Sequence, residues 1–329
     1  MSRTADWYAR FAESEAHGQS EIYEEWAGSV AADDEVLGLL RELPLAKRQP
    51  NLIFATARLL GAPERGYSQF RPWLLAHWPE VRKEAAVRST QTNEPRRCAG
   101  LLPALAGIPG PLALLEVGAS AGLCLYPDRY SYSYDGGGPL HPAAGPSEVL
   151  LEVETTGAVP VPSVLPTVVW RTGIDLRPLA VDDVEDMRWL RTLIWPEQHA
   201  RRARIDAAVN IVRADPPLLI RGDAIDALPA LAARAPADAT LVVVNSGTLV
   251  YLSRDDRARF VDTVRALDAR WVSQEGVTVL PEVERQLPRE RPRAGFLFAL
   301  AVDGRPVAWT GPHGQTVDWI DNRLQLPRQ

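Results

Sequence analysis

Glu116-Val-Gly-Ala-Ser-Ala-Gly122 closes an apolar run that starts at Leu112, and its residue types can do chemistry. An acid, then glycines at 118 and 122 with Ser120 between them, let the backbone turn sharply and approach a ligand closely. The small and apolar residues after the turn read as a helix, whose first N–H groups would be free for an anion. Such a strand–turn–helix predicts a nucleotide-sized ligand at the carboxyl edge of a parallel sheet. Glu116 narrows the ligand: its carboxylate suits an amino group and would repel a pyrophosphate. A dinucleotide fingerprint starting at Gly118 would need glycine at 120 and 123, where the chain has Ser120 and Leu123. The Gly-Lys-Ser/Thr end of a P-loop is missing, which excludes ATP binding of that type.

Other polar groups stand where strands are predicted to end. Asp175 follows the apolar stretch Thr167–Ile174, and Asp223 lies in Arg221-Gly-Asp-Ala224. Asn245 ends Val242-Val-Val-Asn-Ser246, with Tyr251 beyond it. Each acid could equally cap the next helix. Glu94 belongs to Gln91-Thr-Asn-Glu94, which could reach a ligand or could start a helix through Asn93 and Pro95. His313, in Pro-His-Gly, is a candidate base near neutral pH or a structural loop histidine. Arg201, Arg202 and Arg204 could hold an anion or form a solvated helix face. The five histidines lack ligand spacing, so no metal site is assigned, although oxygen ligands from scattered acids remain open. Cys98 and Cys124 are too few for a disulfide framework or a cysteine-rich zinc site.

These groups need elements to position them. From Leu112 onward, strands at Leu112–Val117, Thr167–Ile174, Pro217–Arg221, Thr240–Val244 and Arg270–Ser273 alternate with helical stretches. Those stretches are Asp186–Arg213 (broken near Pro196), Ala224–Arg234 and Asp255–Asp268. Near-continuous apolar strands between helices predict a doubly wound, mostly parallel α/β sheet. Gly295–Ala301 and Pro306–Thr310, joined across Asp303-Gly304, predict a C-terminal β-hairpin. Between the first two strands lies an insertion at about 126–166, with seven prolines and Gly136-Gly-Gly138. Its Tyr126, Tyr130, Tyr132 and Tyr134 fall on one face if extended, as an aromatic lid or as a packed hairpin.

Residues 1–110 read as a helical cap domain, and 111–329 as the ligand-binding domain. Trp7, Phe11, Ile22, Tyr23 and Trp26 recur at helical spacing, and Val36, Leu37, Leu40 and Leu43 follow the start signal Asp33-Asp34-Glu35. A third helix opens at Gln49-Pro-Asn51 and closes at Gly61, Tyr67–Trp78 is broken by proline, and a further helix spans Pro95–Leu105.

Composition bounds the function. A net charge of −6, from 42 acids and 36 bases without blocks, disfavours a broad nucleic-acid surface. No apolar run reaches the ~20 residues of a membrane span, and the charged start lacks a signal-peptide core, so a cytoplasmic location is expected.

The ordered motifs resemble those of class I S-adenosylmethionine (SAM) methyltransferases. Glu116-Val-Gly-Ala-Ser-Ala-Gly122 is similar to their first motif, with Ser120 where they have glycine. Val168–Pro178 resembles the second, and Arg221-Gly-Asp-Ala224 the third. The resemblance implies a Rossmann-like domain with SAM as cofactor. It puts Glu116, Gly118, Ser120 and Gly122 at the amino-acid end, Asp175 on the ribose and Asp223 on the adenine. Asn245, Tyr251, His313, Glu94 and Asp128 would then face a small-molecule methyl acceptor. Alternatives are a non-catalytic SAM or nucleoside sensor, and a metal- or nucleotide-dependent hydrolase using the same acids. Over nearly its whole length the chain also resembles a bacterial family known as domain of unknown function 2332. That likeness lies in Gln49-Pro-Asn51, Gln91-Thr-Asn-Glu94 with Arg97, Glu116–Leu123, Asp128-Arg-Tyr130, Trp189-Leu190, Trp195-Pro-Glu-Gln198 and Pro312-His-Gly314. Asn245-Ser246 departs from the His-Thr or His-Ser expected there, so a histidine base at that place is lacking.

Overall fold

The computed structural model describes residues 3–289 and 297–320. The chain begins with six helices: α1 (Arg3–Phe11), α2 (Glu21–Ala31), α3 (Asp34–Leu40), α4 (Pro50–Leu59), α5 (Tyr67–Ala76) and α6 (Trp78–Val87). After α7 (Arg97–Ala106) come β1 (Leu112–Val117), β2 (Ser131–Tyr134), β3 (Leu150–Thr156) and β4 (Val168–Asp175). Then follow α8 (Val184–Thr192), α9 (His199–Ala214), β5 (Leu218–Arg221), α10 (Ala224–Ala232) and β6 (Thr240–Ser246). The described chain ends with α11 (Arg254–Arg265), β7 (Arg270–Gly276), α12 (Pro281–Gln286), β8 (Phe298–Val302), β9 (Arg305–Thr310) and β10 (Thr316–Trp319).

Two compact units result. The first takes residues 1–92 and 182–203, and the second 93–181 and 204–329. Relative to the sequence boundary at 110, α7, which packs on β3, β7 and β8, falls in the second unit, and residues 182–203 fall in the first.

The first unit is helical and organised on aromatic rings. Phe54 of α4 meets Tyr8, Phe11, Tyr23, Trp26 and Phe70, with centroids 5.1 to 6.5 Å away. Trp26 stacks on Phe70 at 3.8 Å. The inward ring on α1 is Tyr8 rather than Trp7, which is only half-buried, because Thr4, Ala5, Tyr8 and Phe11 share the packed stripe. The Tyr67–Trp78 stretch is not broken as expected: α5 runs through Pro72 to Ala76. Asp33 caps α3 by accepting the N–H groups of Glu35 and Val36. The buried Arg58 ties the 182–203 segment in, donating to the carbonyls of Thr192 and Ile194 at 2.8 and 2.7 Å.

The second unit holds one ten-stranded sheet in the order β2-β3-β10-β9-β8-β7-β6-β1-β4-β5. It is a mixed α/β unit in which the pairings of β1, β4, β5, β6 and β7 with one another are parallel. β8 and β9 form the expected antiparallel hairpin across Asp303-Gly304, although Gly295 and Phe296 lie outside the described residues. All six residues of β1 are buried. Alternation sends Ala113, Leu115 and Val117 into the core that also takes Leu228 of α10, Phe260 of α11 and Val283 of α12. Glu116 therefore points to the opposite face.

The insertion contributes strands that its prolines and glycines concealed. β2 and β3 pair in parallel and join the sheet through β10. Tyr126, Tyr130 and Tyr132 are fully buried. Their hydroxyls donate to the carbonyls of Asp215, Leu123 and Pro127, and that of Tyr134 to Ala99. Those rings are packing: Tyr132 and Tyr134 lie in β2, which pairs in parallel with β3, while Tyr132 also forms an antiparallel bridge with Leu140 across the turn at 135–138.

Truncating Phe54 to alanine is expected to cost the first unit about 3–5 kcal/mol, the usual range for a buried phenylalanine. Urea unfolding followed by tryptophan fluorescence reads that loss directly, since Trp26 lies against the ring.

Candidate functional site

The strand order reverses at β1, which has β4 on one side and β6 on the other, so the crevice beyond its carboxyl end is the natural ligand position. Three chain segments meet there: the turn after β1, the end of β4, and the loop after β6.

The turn after β1 is shaped by positive φ. Gly118, Ser120 and Gly122 have φ of 78°, 52° and 75°. Gly118 is required on two counts, because a Cβ there would lie 2.1 Å from the Thr248 hydroxyl of the β6 loop. The expected helix does not follow: Leu123–Leu125 is one short 3-10 turn, since the left-handed residues at 120 and 122 end any α-helical run. Most of the turn's N–H groups are already engaged rather than free for an anion. Those of Gly118 and Ala119 reach the Ile174 carbonyl at 2.8 and 3.2 Å. The N–H of Ser120 goes to Asp175 at 2.9 Å, and that of Leu123 to the Asn93 side chain at 2.9 Å. Asn93 also donates to the Ala119 carbonyl, so it clamps the turn from both ends rather than capping a helix. Asp175 further accepts the N–H of Arg177 at 2.7 Å, which makes it the hinge between the two strand ends.

Charge is concentrated behind this turn. Glu116 is 3% exposed, and its Oε2 accepts no hydrogen bond among the described residues. Burial pushes its carboxyl well above the ordinary range, with Cys124 and Asp175 adding to the rise and Arg97 opposing it. Glu275, at the end of β7, is also buried. Its Oε1 accepts from Asn245 Nδ2 and from the N–H groups of Thr248 and Leu249, at 2.7, 2.9 and 3.1 Å. Its Oε2 accepts none among the described residues, and burial raises this carboxyl too. Between these acids stands Arg97 of α7, 6% exposed, whose Nε and Nη1 donate to the carbonyls of Pro312 and Ser246 at 2.9 and 2.6 Å. Glu94, fully buried, accepts from Arg204 Nε at 2.8 Å and from the Arg96 N–H.

The other sequence candidates are dispersed. Asn245 is buried and held by Glu275 and by Trp271, whose indole N–H donates to its Oδ1 at 2.7 Å. Tyr251 is 71% exposed. Asp223 is exposed and caps α10 through the Ile225 N–H. Asp128 receives both Nη atoms of Arg171, at 2.9 and 2.7 Å, and serves the insertion. His313 sits in the loop that Arg97 holds through Pro312. Among the described residues, no three metal-ligating side chains are grouped to hold an ion. No described helix is long and apolar enough to cross a membrane.

Sequence reasoning missed Glu275 and the clamp of Asn93. The available signal for the first was Ser273-Gln274-Glu275, a polar run directly after the apolar Trp271-Val272, which the structure buries.

A carboxyl raised on folding binds its proton more tightly in the native state. Its stabilising contribution is complete below the ordinary glutamate value and is lost as pH climbs through the raised one. As pH rises above the ordinary glutamate value, the wild type is therefore expected to lose melting temperature relative to Glu116→Gln; a difference between the two that stays constant with pH would remove Glu116 from the account. Gly118→Ala is expected to cost about 1–3 kcal/mol through left-handed strain and the Thr248 clash. Adding Thr248→Ala should recover the steric part, as a double-mutant cycle of urea midpoints measures.

The family model described as "uncharacterized protein conserved in bacteria (DUF2332)" matches residues 5–319. No curated protein and no solved structure matches the chain. With the match running through both units, the chain belongs to the domain of unknown function 2332 family.

Proposed function

We propose that the second unit is a Rossmann-like domain that binds S-adenosylmethionine, and that it transfers the methyl group to a small-molecule acceptor. The observation that carries the reading is Glu116: a buried carboxylate with an unpartnered oxygen, at the carboxyl end of the strand where the sheet order reverses. An ammonium group would supply the donor and the counter-charge that this oxygen lacks, and SAM has one. The parallel order β5-β4-β1-β6-β7 supports the Rossmann-like reading, and Asp175 at the end of β4 stands next to the turn, where a ribose diol would be met. The helix that usually follows the first strand is replaced by Leu123–Leu125 and the inserted strands. That favours recognition of a cationic end over recognition of phosphate.

Methyl transfer needs alignment and exclusion of water more than a base, because the sulfonium is already activated. Glu116 would orient the amino-acid end. Asp175 would hold the ribose while keeping Ser120 in its left-handed conformation. A sensor reading of the same pocket is favoured by one observation: Asn245, expected to face the acceptor, is fully buried and held in place by Trp271 and Glu275.

Calorimetry with SAM and S-adenosylhomocysteine tests the reading. Wild type should bind both, with affinity reduced about tenfold or more in Glu116→Gln and in Asp175→Asn, as for loss of a charged hydrogen bond. Absence of binding by folded wild type, or binding indifferent to both substitutions, would reject it. Labelled methyl appearing in a cell-extract product separates enzyme from sensor.

A further inference from the structure

The geometry points to a second, oppositely charged half of the ligand pocket. Arg97 takes a carboxylate while Glu116 takes an ammonium, so that the pair reads a free α-amino-acid group. This rests on the reading of the second unit as the ligand-binding one, and it assigns Arg97 a role in binding.

Arg97 has the form of a receptor for an anion. Two of its three nitrogens are spent on main-chain carbonyls, Nε on Pro312 and Nη1 on Ser246, which fixes the plane of the guanidinium. Nη2 makes no hydrogen bond among the described residues, and the Phe298 ring lies 5.8 Å from Cζ. Gly247, with φ of 62°, makes room for it: a Cβ there would stand 3.0 Å from Nη2 and 3.2 Å from Nη1. A planar guanidinium held in one orientation is suited to a planar carboxylate.

Its relation to Glu116 completes the argument. The turn that follows Glu116 meets Thr248 at Gly118 while the Arg97 guanidinium lies against the neighbouring Gly247, so the loop after β6 links the two groups, and they form no ion pair among the described residues. An ionised Glu116 and Arg97 buried in one region without touching would be costly unless each finds another partner. A zwitterion supplies both. Its ammonium meets the unpartnered Oε2 of Glu116 and its carboxylate meets Nη2. Glu275, the other carboxyl under the influence of Arg97, has its Oε1 engaged by the β6 loop and holds the Gly247 bend in place. The class of ligand is thus one with an unmodified α-amino-acid end, whatever is attached to its side chain.

Three probes on the full-length protein test this by calorimetry and thermal shift. S-adenosylhomocysteine carries the nucleoside and the amino-acid end, 5′-methylthioadenosine the nucleoside alone, and L-methionine the amino acid alone. S-adenosylhomocysteine is expected to bind about tenfold or more tightly than methylthioadenosine. That ratio should collapse towards one in Glu116→Gln and in Arg97→Lys, each checked for folding by circular dichroism. Equal affinity for the two nucleosides in wild type would overturn the inference and leave the nucleoside reading standing. Binding of methionine alone, lost in both variants, would support the inference and reject the nucleoside. Binding of none of the three would overturn both. The first comparison needs only wild type, so a variant that fails to fold does not shield the proposal.

Discussion

A carboxylate taken out of water must be neutralised by a proton, a partner or a bound cation, and the second unit meets this requirement twice around a single guanidinium. Glu116 and Glu275 both end in an oxygen without a partner among the described residues, while Arg97 spends its bonds on main-chain carbonyls. If both acids are ionised, the three groups carry one uncompensated negative charge. The surrounding architecture follows from that constraint. Asn93 and Asp175 fix the turn that carries Glu116, Glu275 fixes the loop that meets it at Gly118, and α7 delivers Arg97 to both.

This arrangement separates two kinds of polar residue that look alike in a sequence. Asp223, Asp128 and Asn245 stand at places that suggest a ligand, but their bonds go to a helix start, to an arginine on β4, and to a tryptophan and a glutamate. Glu116 has an oxygen left over. Unused hydrogen-bonding capacity, more than position at a strand end, distinguishes a group available for function from one that holds the fold. Asp175 lies between these cases, since its carboxylate already binds two N–H groups and has lone pairs remaining.

The central strands were legible because they are short apolar runs between amphipathic helices: β1 agrees at both ends, and β4 to β7 within a few residues. β2 and β3 were hidden because they reach the rest of the sheet only through the pairing of β3 with β10, far along the chain, and because their flanks are rich in proline and glycine. The false helix after Gly118 has a different cause. Ala-Ser-Ala has good helical propensity, but the bonds from Ser120 to Asp175 and from Leu123 to Asn93 hold a left-handed turn that local propensity does not register. Attachment of residues 182–203 to the first unit depends on Arg58 reaching Thr192 and Ile194, across more than 130 residues of sequence separation. Within the site, Glu116 was recognisable from its place before a glycine turn, whereas Arg97, Asn93 and Glu275 acquire their roles only through tertiary contact.

The protonation state of Glu116 tests the central claim most directly. Infrared difference spectra of wild type against Glu116→Gln at neutral pH, recorded with and without S-adenosylhomocysteine, report that one carboxyl. The expected result is a protonated carboxylic-acid band in the free protein that converts to a carboxylate band when the ligand binds. A carboxylate already ionised in the free protein, or a band unmoved by a ligand that binds, would contradict the account.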